Sequence, residues 1–117
     1  TMIASDFVGI VSAKNDPQKM QKAGWNVAKA EHINAPVFTN FPMTLECRII
    51  EKIGESPEGY NLVAEIVNVL VDENYLGEDG KPDVEKMQLI TFDPVHLGYI
   101  ELGKRVGNAF ADGRALK

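Results

Sequence analysis

The chain has 117 residues, 44% hydrophobic and 25% charged, which bounds it to one ordinary globular domain with a single core and argues against disorder. Its formal net charge of -5 disfavours a nucleic-acid or anionic-membrane surface, since such partners are held by clustered Lys and Arg, and no apolar run is long enough to span a bilayer. A lone cysteine, Cys47, forms no intramolecular disulfide, and the opening lacks the order of a secretion signal, so a reducing cytoplasm is the expected compartment.

Thr1-Met2-Ile3 runs almost directly into Phe7-Val8-Gly9-Ile10-Val11 without a polar lead, which raises the expectation that the chain is cut from a longer protein. Ile3, Phe7, Ile10 and Val11 have helical spacing and predict a short helix over 2–12 with one buried face, weakened by Gly9. A second helix is predicted over 17–23, where Asp16 supplies a cap, Pro17 takes the first position and Gly24 the left-handed exit. At about two turns it depends on packing for stability, with Met20 and Ala23 facing inward and Lys19 and Lys22 nearer the edge.

Residues 25–42 have little period, and Pro36 and Pro42 limit them to a connecting segment with one extended piece at Val37-Phe38. Leu45, Cys47 and Ile49 then alternate with Thr44, Glu46 and Arg48. Turn residues follow over 54–59, and the nearly continuous apolar run over 62–71 completes a long antiparallel hairpin. Such a second strand fits cover on both faces, as in a closed barrel or at a subunit interface. A polar excursion over 72–83, a helical turn over 83–87, the run Leu89-Ile90-Thr91-Phe92, the turn-prone Asp93-Pro94 and an aromatic, glycine-rich tail close the chain. The elements predict a mainly β, α+β domain with short helices.

Five segments, taken in order, carry a resemblance. They are Asp6-Phe7-Val8-Gly9-Ile10-Val11-Ser12-Ala13-Lys14 with Asp16-Pro17-Gln18-Lys19-Met20 and Lys22-Ala23-Gly24-Trp25; Asn34-Ala35-Pro36; Pro42-Met43-Thr44-Leu45-Glu46-Cys47-Arg48; Ala64-Glu65-Ile66-Val67 with Asp72-Glu73 and Asp79-Gly80-Lys81; and Phe92-Asp93-Pro94 through Gly103-Lys104-Arg105-Val106-Gly107. The ordered set resembles the flavin reductase-like, or flavoredoxin, family of FMN-binding split barrels; no single block would suffice. The resemblance implies that residues 1–117 form the C-terminal portion of one antiparallel split-barrel domain whose N-terminal strands are absent. It further implies FMN near the interface of a homodimer, with NAD(P)H as donor and a small acceptor or redox protein as partner, and no nucleic acid or membrane. Retention of FMN by this portion alone is expected to be weak or absent.

The same resemblance places four residues at the cofactor: Ser12, Lys14, Lys19 and Phe92. Ser12, Lys14 and Lys19 match the family's Ser-Gly-Arg and Asp-Lys-Phe elements, with departures at Ala13, Lys14 and Met20. A hydroxyl and flexible ammonium groups suit a phosphate, and a Lys beside the N1–C2 carbonyl edge stabilises the reduced ring. The competing reading makes all three ordinary solvated polar groups. Phe92 matches an aromatic position that covers the isoalloxazine, against plain core packing. No catalytic residue and no metal ligand is assigned.

Other residues are weaker candidates. His96 and His32 are lone histidines with surface character; the polar residue that the family often carries at the start of the second hairpin strand is replaced by Gly59-Tyr60-Asn61. Trp25, directly after Gly24, is expected to pack the short helix down. Asp72, Glu73, Glu78, Asp79 and Asp83 lack the order of a calcium loop, and Cys47 has no Cys or His at ligand spacing. No Rossmann fingerprint or nucleophile elbow occurs. A cofactor-free interaction module on the same frame, or a flavin-binding protein without turnover, remains the alternative.

Overall fold

The computed structural model describes residues 1–56 and 59–116. It is mostly strands with few short helices. Helix α1, Met2–Ile10, starts where the Thr1 hydroxyl oxygen accepts the Ala4 N–H at 3.4 Å, and stops where Val11 turns extended. The predicted inward face is only partly realised: Phe7 and Val11 are half-buried, whereas Ile3 and Ile10 are exposed.

Helix α2, Lys19–Ala23, begins two residues later than predicted. Asp16 does accept a backbone N–H, but from Gln18 at 3.2 Å, and this Asx turn occupies the space of the first helical turn. Gly24 exits the helix at φ 68°, the left-handed region that an L residue enters only with strain. Lys22 pairs with Asp16 at 2.7 Å. Lys19, expected at the edge, is instead buried.

Strands β1, Val27–Lys29, and β2, Pro36–Phe38, pair antiparallel, where a connecting segment with a single extended piece was expected. Three residues are too few to display a period, which hid β1. Strands β3, Met43–Ser56, and β4, Gly59–Val71, form the long hairpin; of its predicted turn, Pro57 and Glu58 lie outside the described residues. Its register shifts between Glu46 and Cys47, where β4 carries the extra residue Val67, and between Ile49 and Glu51, where β3 carries the extra Ile50.

Beyond β4, Asp72 caps a single 3-10 turn, Glu73–Tyr75, by accepting the Asn74 N–H at 2.9 Å. The expected helical turn over 83–87 is present: Asp83 Oδ1 accepts the N–H groups of Glu85 and Lys86, and Met87 is buried. Strands β5, Ile90–Asp93, and β6, Gly98–Glu101, close a last hairpin, and a 3-10 turn, Asp112–Leu116, ends the described chain.

The three hairpins are separate two-stranded sheets among the described residues. An aromatic cluster lies between them and the helices: the Trp25 ring meets Phe7, Phe38 and Phe41 edge-on at 6.2, 5.6 and 5.0 Å between centroids. Trp25 thus packs α1 and the β2 region together, where packing of α2 was expected.

The long hairpin is the exposed part. Leu45, Ile49, Ile53, Leu62, Val63 and Ile66 are all solvent-facing, so the cover expected for β4 is not supplied by the described residues of this chain. In β3, Glu46 is buried while Leu45 and Ile49 are exposed, because the turn between β1 and β2 lies on the Glu46 side. Cys47 is half-buried. The accessible surface is 9874 Å², against roughly 6,300 Å² for a compact monomer of this mass. The radius of gyration, 17.7 Å, likewise exceeds the about 13 Å of a compact domain. No helix among the described residues is long and apolar enough to cross a membrane.

Candidate functional site

The segment joining α1 to α2 carries Ser12 and Lys14, and the first residue of α2 is Lys19, so three of the four predicted site residues lie within eight positions. After Val11 the chain turns tightly, with the Ser12 carbonyl accepting the N–H groups of Asn15 and Asp16 at 3.1 and 2.9 Å. Ser12 Oγ accepts the Lys14 N–H at 3.2 Å, which fixes the hydroxyl against the turn and leaves its own hydrogen free to donate. Both Ser12 and Lys14 are exposed.

Lys19 is placed differently. It is 6% exposed, its ammonium donates to the Val11 carbonyl oxygen, and it lies 5.9 Å from the centre of the Phe7 ring. A buried ammonium needs such partners, because leaving water without them is costly. Lys19 therefore ties α2 to the end of α1, one residue before Ser12, and is not the solvated side chain of the competing reading.

Phe92 stands on β5, 52% exposed, with its ring 5.7 Å from that of Tyr99 across the ladder. The Tyr99 hydroxyl donates to Asp6 Oδ1 at 3.3 Å, so the β5–β6 hairpin is tethered to α1. No hydrogen bond, ion pair or ring contact among the described residues joins Phe92 to Ser12, Lys14 or Lys19.

Two concave regions share Trp25 of the aromatic cluster, and none of the four residues lines either. One is an open cleft of about 590 Å³ bounded by Gly24, Trp25, Phe41, Lys86, Gln88 and Glu101. The other, about 290 Å³, is apolar and bounded by Val8, Met20, Trp25, Phe38, Phe41 and Ile90. Trp25 and Phe41 form a shared wall between them.

No protein-family model matches the chain, and no curated protein does. Solved structures do. The flavoredoxin of Desulfovibrio vulgaris (Miyazaki F) superposes with a TM-score of 0.82 at 34% identity, over 92% of this chain and 56% of the other. Flavoredoxin from Methanosarcina acetivorans gives 0.81 at 30% identity, over 96% and 57%. This is the flavoredoxin and flavin reductase-like fold. Nitrilotriacetate monooxygenase component B from Bacillus cereus shares the flavoredoxin-like architecture at a TM-score of 0.61 and 19% identity, over 77% and 46% of the two chains. The flavoredoxin-like chain thus spans just over half the length of the flavoredoxins it matches.

The fit of a flavin mononucleotide to the chain divides by residue. The exposed Ser12 hydroxyl and Lys14 ammonium suit a phosphate, and the exposed face of Phe92 suits a flat apolar ring. The Lys19 ammonium is already committed inward, to the Val11 carbonyl at the start of the Ser12 turn.

Sequence reasoning passed over Glu46, at 1% exposure the most deeply buried side chain among the described residues. Its oxygens accept N–H bonds from His32 at 2.9 Å and Glu31 at 3.3 Å, and from the Asn68 amide at 3.3 Å; the His32 Nδ1 lies 3.6 Å away. Burial pushes the Glu46 carboxyl up, but the donors of His32, Asn68 and Glu31 outweigh it and hold the group below its ordinary value. The available signal was a carboxylate in mid-strand, within the alternation of Thr44, Glu46 and Arg48 with Leu45, Cys47 and Ile49.

Proposed function

We propose that the chain contributes one wall of the FMN pocket of a flavin reductase-like or flavoredoxin-like oxidoreductase or electron carrier. The observation that carries this is the superposition on two flavoredoxins at 30% identity or more over nearly the whole of this chain. Bound flavin supplies the redox chemistry, accepting electrons from NAD(P)H and passing them to a small acceptor or a redox protein. The protein's share is to bind and orient it. Ser12 and Lys14 meet the phosphate, Lys19 positions their turn, and Phe92 covers the ring and limits water.

On this reading the pocket and the barrel are completed by further sequence and by a second copy. The exposed apolar hairpin supports it: this one chain shows on the order of 3,500 Å² more surface than a compact monomer of its mass, surface that further sequence and a second copy would cover. Incubation of the protein in its full natural length with FMN and NAD(P)H tests the proposal. Yellow bound cofactor that bleaches on adding the nicotinamide is expected; neither bound flavin nor bleaching would sink it. A second reading, a cofactor-free split-barrel module, gains support from Lys19, whose ammonium serves packing, and is the outcome if no flavin binds.

A further inference from the structure

The contact between the first two hairpins rests on a charge. Strands β1 and β2 complete their own ladder with the Ala30 N–H donating to the Ala35 carbonyl at 3.0 Å, and β3 pairs with β4 along its length. Between them, the successive N–H groups of Glu31 and His32 converge on the Glu46 carboxylate, whose Oε1 also takes the Asn68 amide of β4. The register shift beside Glu46 places it opposite Asn68 and sets this geometry.

We propose that Glu46 is an acid-released latch: its carboxylate closes the turn between β1 and β2 onto the long hairpin, and protonation frees that turn while both hairpins stay paired. Protonation makes one carboxyl oxygen an O–H donor and both oxygens weaker acceptors than those of the carboxylate, so the N–H bonds to it lose their charge-assisted strength. Two of the three donors belong to the turn, so their loss falls there. The ladders on either side do not involve the carboxylate, and local opening needs no global unfolding. The turn brings His32 as the titratable ring facing Glu46; Glu31 offers its N–H and keeps its side chain in solvent, and β4 contributes the neutral Asn68. Because the folded carboxyl lies below its ordinary value, the latch is closed above that value and is lost as pH falls through the lower folded one.

The test is amide exchange by NMR on the full chain as a function of pH, expressed as protection factors so that the intrinsic pH dependence of exchange cancels. Glu31 and His32 are expected to lose at least about tenfold in protection on the acid limb, while the β1–β2 and β3–β4 ladder amides keep theirs. Glu46→Gln, which still presents an oxygen but does not titrate, is expected to flatten that dependence. Unchanged protection at 31 and 32, simultaneous loss along the β3–β4 ladder, or the same pH dependence in the Gln variant would each overturn the latch.

Discussion

The Trp25 and Phe41 rings meet edge-on, their centroids 5.0 Å apart and their planes at 72°. The pair joins the exit of α2 to the start of the long hairpin and forms the wall shared by the two clefts. Trp25 is half-buried, so Trp25→Ala is expected to cost about 2 kcal/mol, less than the ~3–5 kcal/mol of a fully buried aromatic. Trp25→Phe keeps most of the packing and costs less. Denaturant unfolding with tryptophan-independent detection checks both; equal stability of the Ala variant and the parent would show that the cluster does not hold the helices.

Gly24 offers a backbone test. A Cβ there meets nothing within 4 Å, so the cost of Gly24→Ala comes from φ 68° and not from a clash. About 1 kcal/mol of destabilisation is expected, with Gly24→Asn closer to the parent because Asn tolerates the left-handed region. Thermal unfolding measures the order; Ala as stable as Gly would mean that the chain relaxes out of this conformation.

Asp93 sets a pH dependence away from the latch. The His96 ring 2.7 Å from its carboxylate, and then the Val95 N–H, hold its carboxyl below the usual aspartate value. A depressed folded value means that this contribution is complete above the ordinary pKa and disappears as pH falls through the lower one. Carboxyl titration by NMR is expected to show Asp93 rising toward the ordinary value in His96→Ala. No movement would remove His96 as the cause.

How far the sequence disclosed the molecule depends on what each residue answers to. The Gly24 exit, the 83–87 turn and the long hairpin answer to local rules of backbone freedom, capping and alternation, and these were legible. The start of α2 was misplaced because Asp16 satisfies a turn N–H and a helix cap by the same chemistry. Strand β1 was invisible because its partner, not its own three residues, makes it a strand. The burial of Lys19 and Glu46 was unreadable for a deeper reason: each charge is buried by donors or acceptors from other segments, Val11 and Phe7 for one, Glu31, His32 and Asn68 for the other. Conversely, Leu45 and Ile49 are exposed in the described chain: alternation marks a strand without saying what covers either face.

The proposed phosphate contact separates Lys14, which is exposed, from Lys19, which is buried. Lys14→Ala is expected to weaken FMN binding about two- to fivefold at low salt, with the difference shrinking at high salt, as for one exposed charge contact. Lys19→Met leaves the Val11 carbonyl unpaired and is expected to lower stability first and affinity only as the Ser12 turn loosens. Flavin fluorescence titrations beside thermal unfolding distinguish the two; affinity loss in Lys19→Met at unchanged stability would place its ammonium at the ligand.

The central claim is flavin binding, and the visible absorption spectrum of the full natural-length protein, freed of unbound FMN after incubation, tests it most directly. Retained bands of oxidised flavin in proportion to protein are predicted, and a spectrum without them would contradict the flavoprotein account.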